Sequence, residues 1–226
     1  MLLLFDIDGT LVRGRPLTHQ AALTEAAAEV FGLRFEPGTD PVAEVEPWGK
    51  TDRQILHEVL ARADIAAPGA NAVARWEELA CAAYTRLEVE RDHGPEAGEL
   101  AATAAALGRL RDSGHILALV TGNLEPIARR KLDLRGLGAF FPPGQGGFGS
   151  DSELRAELVP LARKRAGAND TPHPRDDTVL IGDTPLDVAA ASADGVRCVA
   201  IEGKRFQAEA LMAAGAAATV AEIPEL

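Results

Sequence analysis

The stretch "LLLFDIDGTLV" at residues 2–12 decides the fold, because an apolar run ends in two aspartates that lie two positions apart. An apolar run without polar alternation is typical of a strand that is covered on both faces of a parallel sheet. Asp-Gly is also a common way to end a strand in a turn, so Asp6 and Asp8 have two interpretations. One is a turn, and the other is a pair of catalytic carboxylates.

Composition limits the classes of protein to consider. The chain has 226 residues, of which 46% are hydrophobic and 25% charged, as expected for a globular protein with a packed core. The net charge of -11 disfavours nucleic acid and an anionic membrane as partners, because both would be repelled. The two cysteines, Cys81 and Cys198, lack metal-ligand spacing, so we expect reduced thiols in the core. The first apolar run is too short for a signal peptide or a membrane span, and we expect a cytoplasmic protein.

Strands and helices alternate along most of the chain. This alternation predicts an α/β fold with a Rossmann-like, doubly wound parallel sheet. The predicted strands cover 2–7, 116–121, 178–183 and 197–201, and the predicted helices cover 97–112, 124–135, 152–166, 185–193 and 205–214.

A long insertion separates the first two predicted strands. About 110 residues lie between them, whereas a crossover needs only about 10 to 12. Helical patterns within the insertion cover 18–31, 51–63 and 70–90, and no strand pattern is evident. We therefore predict a core domain of residues 1–14 and 94–226 and an inserted helical domain of residues 15–93, joined near Gly14 and at His93-Gly94-Pro95.

Polar residues follow three of the predicted strands. Ligands of open parallel sheets bind outside the carboxyl ends of the strands, where these residues would converge. Each residue alone has an ordinary explanation as a turn or a helix cap. Together, two carboxylates about 5 Å apart would repel by roughly 3 kcal/mol at an effective dielectric constant of about 20, so the cluster needs a cation. Mg²⁺ suits oxygen ligands and a shared substrate phosphate. The residues concerned are Asp6 and Asp8, then Thr121, Gly122 and Asn123, then Asp183 and Asp187.

These residue types are suited to phosphoryl transfer. A carboxylate can attack phosphorus and form an aspartyl-phosphate. A second group must protonate the leaving oxygen and later deprotonate the attacking water, and a neighbour two residues away could do so. A metal, a hydroxyl or backbone donors, and a basic side chain would stabilise the charge on the transferring group.

The motifs "DIDGT", "VTGN" and "GDTPLD", in this order, resemble those of the haloacid dehalogenase superfamily, whose commonest members are Mg²⁺-dependent phosphatases. The insertion resembles the family's α-helical cap of the first type. The resemblance implies that Asp6 is the nucleophile and that Asp8 is the general acid and base, with its backbone carbonyl on the metal. It also implies that Thr121 binds the phosphoryl group, that Asp183 binds the metal, and that Asp187 is an outer carboxylate of the metal site. We expect the phosphate to be contacted further by Gly9, Thr10, Gly122 and Asn123.

The sequence differs from the family's usual pattern at the basic residue of the third motif. The usual Lys-Pro-x-Pro segment is absent. We favour Arg155 in "GSDSELRAEL", at a predicted helix start, and Lys131 in "ARRKLDLRGL" is the alternative. Either could instead be a solvated helix cation, with Arg155 pairing Asp151 at i,i+4.

An acid at position 8 favours phosphate-ester chemistry over dehalogenation within the resembled family. We therefore expect a Mg²⁺-dependent phosphatase that acts on a small phosphorylated metabolite through an aspartyl-phosphate. The alternatives are a sugar phosphomutase with the same nucleophile and a non-enzymatic binding protein on the same fold.

Other stretches leave alternatives open. "GKTD" at residues 49–52 could meet an anionic substrate, or it could be a helix start capped by Thr51 or Asp52. Arg13 and Arg15 could face the leaving group or the solvent. "GQGGFG" at residues 144–149 is expected to be a flexible loop, and the five histidines are expected at surface or core positions.

Overall fold

The computed structural model describes residues 1–14, 17–36, 38–90, 97–169 and 171–225. Within them, six strands form one sheet in the order β3-β2-β1-β4-β5-β6, and all neighbours are parallel. This topology confirms the predicted doubly wound α/β fold. The strands are β1 (Leu2–Phe5), β2 (Ile116–Thr121), β3 (Gly147–Phe148), β4 (Thr178–Gly182), β5 (Arg197–Ile201) and β6 (Ala218–Val220).

Helices cover both faces of the sheet. Leu3 and Phe5 of β1 face one hydrophobic cluster, which includes residues of α5 and α6, and Leu2 and Leu4 face a second cluster, which includes residues of α7, α8 and α9. All four side chains are fully buried, which explains why β1 is apolar at every position. The helices are α1 (Leu17–Phe31), α2 (Pro41–Glu44), α3 (Asp52–Arg62), α4 (Ala70–Glu90), α5 (Ala97–Asp112), α6 (Glu125–Leu134), α7 (Leu158–Ala166), α8 (Pro185–Ala193) and α9 (Ala208–Ala213).

Helices α1 to α4 form what we call the helical unit, the described part of residues 17–90. It has its own hydrophobic cluster, which also receives Leu124 and Ile127 from the sheet-bearing part. The Trp76 ring is fully buried in this cluster, and its Nε1–H donates to the carbonyl oxygen of Leu23 at 3.2 Å. The predicted joints at residues 14/15 and 93/94 involve Arg15 and residues 91–96, which lie outside the described residues, so the domain boundaries stay predictions.

Several predicted elements begin or end at other residues. Strand β1 stops at Phe5 rather than at residue 7, because the backbone N–H groups of Leu11 and Val12 both donate to the carbonyl of Ile7 and close a tight turn. Strand β4 stops at Gly182 rather than at residue 183. The helix predicted over 152–166 is a 3₁₀ turn, Arg155–Glu157, followed by α7. The helices predicted over 124–135 and 205–214 are shorter, at 125–134 and 208–213.

The flexible loop expected at residues 144–149 is wrong. This segment contains β3, which pairs with β2 and is buried. A two-residue strand is too short to show periodicity, and glycine lowers the strand propensity. Gly149 lies so close to the preceding turn that a methyl group there would sit 2.0 Å from the carbonyl oxygen of Gly122. The short elements α2 and β6 also had no sequence pattern long enough to predict them.

The thiols of Cys81 and Cys198 are free, and Cys198 is buried, whereas Cys81 is partly exposed. Among the described residues, none of the helices has the length and apolar character that crossing a membrane would require. The expected cytoplasmic location stays a prediction.

The start of α3 packs directly on the turn that follows β2. The backbone N–H of Asp52 donates to the carbonyl of Gly122 at 2.8 Å, and Thr51 donates its hydroxyl to the carbonyl of Glu153 at 2.7 Å. A methyl group at Gly122 would lie 2.1 Å from the carbonyl oxygen of Lys50. Glycine at this position therefore lets the helical unit contact the sheet edge.

We expect Gly122→Ala to lower the free energy of unfolding by about 1–3 kcal/mol, because the added methyl forces the two backbones apart. The matched control is Gly108→Ala, within α5, where nothing lies within 4 Å of the added methyl. Removing a helical glycine there should raise the free energy of unfolding by about 0.5–1 kcal/mol. Urea unfolding of the three proteins measures both changes, and a Gly122→Ala protein as stable as the parent would contradict the packing described here.

Candidate active site

Asp6 and Asp8 lie at the carboxyl edge of the sheet, immediately after β1. The Asp6 N–H donates to the carbonyl of Ile181 at 2.9 Å, which extends the pairing with β4 by one residue. Gly9 adopts a φ of +92°, which favours glycine. A methyl group at Gly9 would lie 2.1 Å from Oδ2 of Asp183, so Gly9 also allows the two strand ends to approach closely.

Three carboxylates form a compact acidic cluster. Asp6, Asp183 and Asp187 each offer an oxygen within 4.8 Å of the others. Burial raises the pKa of Asp6 to about 7, and Asp187 and Asp8 add to the rise although Arg155 opposes it. Burial, together with the charges of Asp6 and Asp187, raises the pKa of Asp183 to about 8. The cluster therefore holds more negative charge than the protein alone stabilises.

Arg155 is the cation of this cluster. Its Nη2 contacts Oδ1 of Asp6 at 3.0 Å and also donates to Asp187, while Nη1 donates to the carbonyl of Gly49 at 2.9 Å. Burial alone would lower the pKa of Arg155, but the two aspartates raise it above its usual value. The alternative pairing of Arg155 with Asp151 is not formed, because Asp151 pairs with Arg165 at 2.7 Å.

Asp187 is fully buried and occupied by protein contacts. It is the third residue of α8, where it forms a capping box with Thr184, the N-cap residue. Oδ2 accepts from the backbone N–H and the hydroxyl of Thr184 at 3.0 and 2.7 Å, and Oδ1 accepts from Arg155. Both oxygens of Asp187 therefore have protein partners, and its expected role as an outer carboxylate of a metal site stays a prediction.

Asp8 has a separate cation, Lys131 of α6. Lys131 Nζ donates to Asp8 Oδ2 at 2.5 Å, and Asn123 Nδ2 donates to the same oxygen at 2.9 Å. Burial would raise the pKa of Asp8, but Lys131 and the hydrogen bonds lower it to about 2. The two candidate cations from the sequence thus both lie at the site, where Arg155 contacts Asp6 and Lys131 contacts Asp8.

The expected phosphate-binding residues surround these groups. Thr121 is fully buried, and its Oγ1 accepts from Asn123 Nδ2 at 2.6 Å. Gly9, Thr121, Gly122 and Asn123 line the cavity above the sheet edge. Thr10 is buried beside them and donates to Oδ1 of Asp183 at 3.4 Å.

A cavity of about 1200 Å³ lies between the sheet edge and the helical unit. Its lining includes the carboxylates of Asp6, Asp8 and Asp183 and the cations Arg13, Lys204 and Arg205. Arg205 stacks on the ring of Trp48 with its Cζ 3.7 Å from the ring centroid. Because Trp48 belongs to the helical unit and Arg205 follows β5, this cation–π contact joins both sides of the cavity.

His19 and Asp52 lie close to the site, although no sequence pattern indicated that His19 would be there or that the two residues would be in contact. Both are buried at the junction of the helical unit and the sheet, and they contact each other at 3.0 Å. Of the two candidate caps of α3, Thr51 rather than Asp52 is the N-cap residue, because its side-chain oxygen accepts from the backbone N–H of Gln54. Lys50 of the same stretch also lines the cavity and is held by Glu58 at 2.6 Å.

The acidic cluster suits a hard divalent cation. Its oxygens are close together, and the pKa values of Asp6 and Asp183 are raised although the buried Arg155 opposes the rise. Oxygen donors at high negative charge density fit Mg²⁺. Asp6 and Asp183 would hold the ion directly, and the side chain of Asp8, which Lys131 occupies, would not.

A family model described as haloacid dehalogenase-like hydrolase matches residues 3–192. The chain belongs to this family. Phosphoglycolate phosphatases of Cereibacter sphaeroides are 29% identical to it over 193 residues, which cover 85% of this chain and 81% of theirs. The chain is accordingly a hydrolase of the phosphatase type within this family.

Solved structures share the fold. The structure of CbbY from Rhodobacter sphaeroides in complex with phosphate superposes with a TM-score of 0.70 at 19% identity, covering 99% of this chain and 95% of that one. A putative beta-phosphoglucomutase from Bacteroides vulgatus gives 0.64 at 19% identity, with 99% and 84% covered. A hydrolase from Pseudomonas syringae gives 0.62 at 18% identity, with 98% and 94% covered.

Proposed function

We propose that this protein is a Mg²⁺-dependent phosphatase that hydrolyses a small phosphate monoester through an aspartyl-phosphate on Asp6. The observation that supports it is that each of the two aspartates pairs with a cation of its own. Asp6 lies with Arg155 in the acidic cluster, and Asp8 lies with Lys131 outside it. Two carboxylates in such different environments suit two different roles.

In the first step, Asp6 attacks the phosphorus atom. Arg155 holds Oδ1, so Oδ2 forms the new bond to phosphorus while the bond to the ester oxygen breaks. The backbone N–H groups around Gly122, together with Thr121, bind the phosphoryl oxygens. Asp8 passes a proton to the leaving oxygen. This proton enters with the substrate monoanion, since the second pKa of a phosphate monoester is about 6.

In the second step, water attacks the aspartyl-phosphate. Asp8 accepts the proton of the water, the bond between phosphorus and Asp6 breaks, and inorganic phosphate leaves. The low pKa of Asp8 keeps it a carboxylate and so available to take this proton. Bound Mg²⁺ would offset the negative charge of Asp6, Asp183 and the phosphoryl oxygens.

The chemistry of the cavity favours a substrate with a second acidic group. Although the chain carries a net charge of -11, Lys204 and Arg205 lie at the cavity wall. The names of similar proteins also support a substrate with two acidic groups. The relatives are named phosphoglycolate phosphatases, and one CbbY structure contains xylulose-(1,5)bisphosphate. A carboxylate or second phosphate of the substrate would lie against these side chains, away from Asp6.

We expect Asp6→Asn to reduce phosphate release from p-nitrophenyl phosphate at least about 1000-fold, because the amide oxygen is a far weaker nucleophile. Removal of Mg²⁺ with EDTA should abolish activity in the parent, and added Mg²⁺ should restore it. Parent-level activity of Asp6→Asn would rule out the aspartyl-phosphate. Conversion of one sugar phosphate into another without net phosphate release would instead identify a phosphomutase.

We expect Mg²⁺ to stabilise the protein more at pH 8.5 than at pH 6. The raised pKa values of Asp6 and Asp183 mean that the metal-free fold binds more protons than the unfolded chain, so its stability falls as pH rises from about 4 to about 8. Mg²⁺ needs the ionised carboxylates and therefore binds better above this range. Thermal unfolding with Mg²⁺ or EDTA at both pH values measures the difference, which Asp183→Asn should remove.

We expect Lys204→Ala to raise KM for 2-phosphoglycolate about 2- to 5-fold and to leave KM for p-nitrophenyl phosphate nearly unchanged, the size typical of an exposed ion pair. The matched control is Lys164→Ala, because Lys164 is an exposed lysine of α7 that does not line the cavity. An equal change for both substrates would contradict the assignment of a second anionic group to this wall.

A further inference from the structure

We infer that His19 and Asp52, both from the helical unit, are positioning residues that hold Lys131 against Asp8. This inference rests on the proposed function, since it concerns the acid and base of that reaction. It assigns a role to two buried side chains that do not touch the acidic cluster.

The contacts form a continuous buried chain. Asp52 Oδ2 lies 3.0 Å from His19 Nε2, and His19 Nδ1 lies 3.1 Å from Lys131 Nζ. Lys131 in turn donates to Asp8 Oδ2 at 2.5 Å and to Asn123 Oδ1 at 2.7 Å. The exposed fractions of His19, Asp52 and Lys131 are 7%, 2% and 3%, so water has little access to replace any of these contacts.

The direction of each hydrogen bond follows from the donor inventory. A lysine ammonium can only donate, so Nδ1 of His19 must accept and carries no proton. The proton of the neutral ring is then on Nε2, which donates to Asp52. A doubly protonated ring would bring two cations within 3.1 Å of each other. Asp52 therefore selects the tautomer that can bind Lys131.

Asp52 and His19 are themselves fixed. Asp52 Oδ2 also accepts the backbone N–H of Leu124 at 2.8 Å, which ties α3 to the turn after β2. The His19 ring packs edge-on against Tyr84, with 6.1 Å between ring centroids. The geometry at Asp8 thus depends on the helical unit being packed on the sheet edge.

These contacts fix the orientation of the Asp8 carboxylate. Lys131 and Asn123 both donate to Oδ2, and among the described residues no hydrogen bond reaches Oδ1. Oδ1 is therefore the oxygen left to exchange a proton with the leaving group. Loss of the His19 contact would release Lys131 and allow the Asp8 side chain to rotate.

The test compares two substrates that differ in their need for a proton. p-Nitrophenolate leaves without protonation, whereas an alkyl alcohol from 2-phosphoglycolate requires it. We expect His19→Phe, which keeps the ring beside Tyr84, to lower kcat/KM for 2-phosphoglycolate at least 10-fold and kcat/KM for p-nitrophenyl phosphate less than 3-fold. The ratio kcat/KM reports the steps up to loss of the leaving group, whereas kcat also contains the second step, in which Asp8 acts on water with both substrates.

Two further variants separate positioning from folding. Asp52→Asn has nearly the same volume, but its amide can donate to Nε2 and so select the other tautomer, and it should show the same selective loss. His19→Asn keeps an acceptor close to the position of Nδ1 and should recover part of the kcat/KM for 2-phosphoglycolate that His19→Phe loses. In a Lys131→Met background, His19→Phe should have no further effect, because its action passes through Lys131.

The matched control is His57→Phe. His57 pairs with Glu153 at 2.8 Å across the same junction, but it contacts neither Lys131 nor Asp8. The ratio of its kcat/KM values for the two substrates should equal that of the parent. Equal losses of kcat/KM for both substrates in His19→Phe, an additive effect with Lys131→Met, or a selective loss in His57→Phe would overturn the inference.

A readout without catalysis distinguishes failure of this inference from failure of the proposed function. In ¹⁵N-histidine NMR spectra of the metal-free protein, His19 should show a protonated Nε2 and an unprotonated Nδ1. Lys131→Met should shift the Nδ1 resonance, and Asp52→Asn should move the proton to Nδ1. This pattern in a protein that hydrolyses neither substrate would refute only the phosphatase, whereas a protonated Nδ1 in the parent would refute only the positioning role.

Discussion

The repulsion among buried carboxylates at one edge of the sheet is the constraint on which this structure depends. Asp6, Asp183 and Asp187 each offer an oxygen within 4.8 Å of the others, although burial disfavours the ionised forms of Asp6 and Asp183. The fold tolerates this because Arg155 reaches into the cluster and Asp187 is fully hydrogen-bonded. The remaining negative charge makes a hard cation complementary to the site, and such a cation would in turn attract an anionic group.

The pKa of Asp8 is set by a different group of neighbours. Lys131 lowers its pKa, whereas burial raises the pKa of Asp6 two positions earlier in the chain. Neighbours that are distant in sequence contribute to the difference, since Lys131 on α6 lowers the pKa of Asp8 and Asp187 on α8 raises the pKa of Asp6. One strand end thereby presents two carboxylates with opposite tendencies to bind protons.

The sequence could predict the elements that carry long patterns. Helices α4 and α5 are predicted at their observed bounds because each has many residues with helical periodicity, and strand β2 is predicted at its bounds because it is an apolar run that ends at Thr121. The convergence of Asp6, Thr121 and Asp183 followed from parallel topology alone. The choice between Arg155 and Lys131 could not be made, because it depends on where the helices lie above the sheet. His19 and Asp52 were missed for a related reason, since their contact spans two helices and no local pattern encodes it.

Lys204 and Arg205 line the cavity from the segment after β5, whereas the acidic cluster and its arginine lie after β1 and β4, on α8 and in the turn before α7. Changes in the segment after β5 would alter the charge that lines the cavity and leave the carboxylates with their cations. By contrast, a methyl group at Gly122 or Gly149 would lie within 2.1 Å of a backbone carbonyl oxygen. Substitutions after β5 can therefore accumulate in evolution while the acidic cluster stays unchanged.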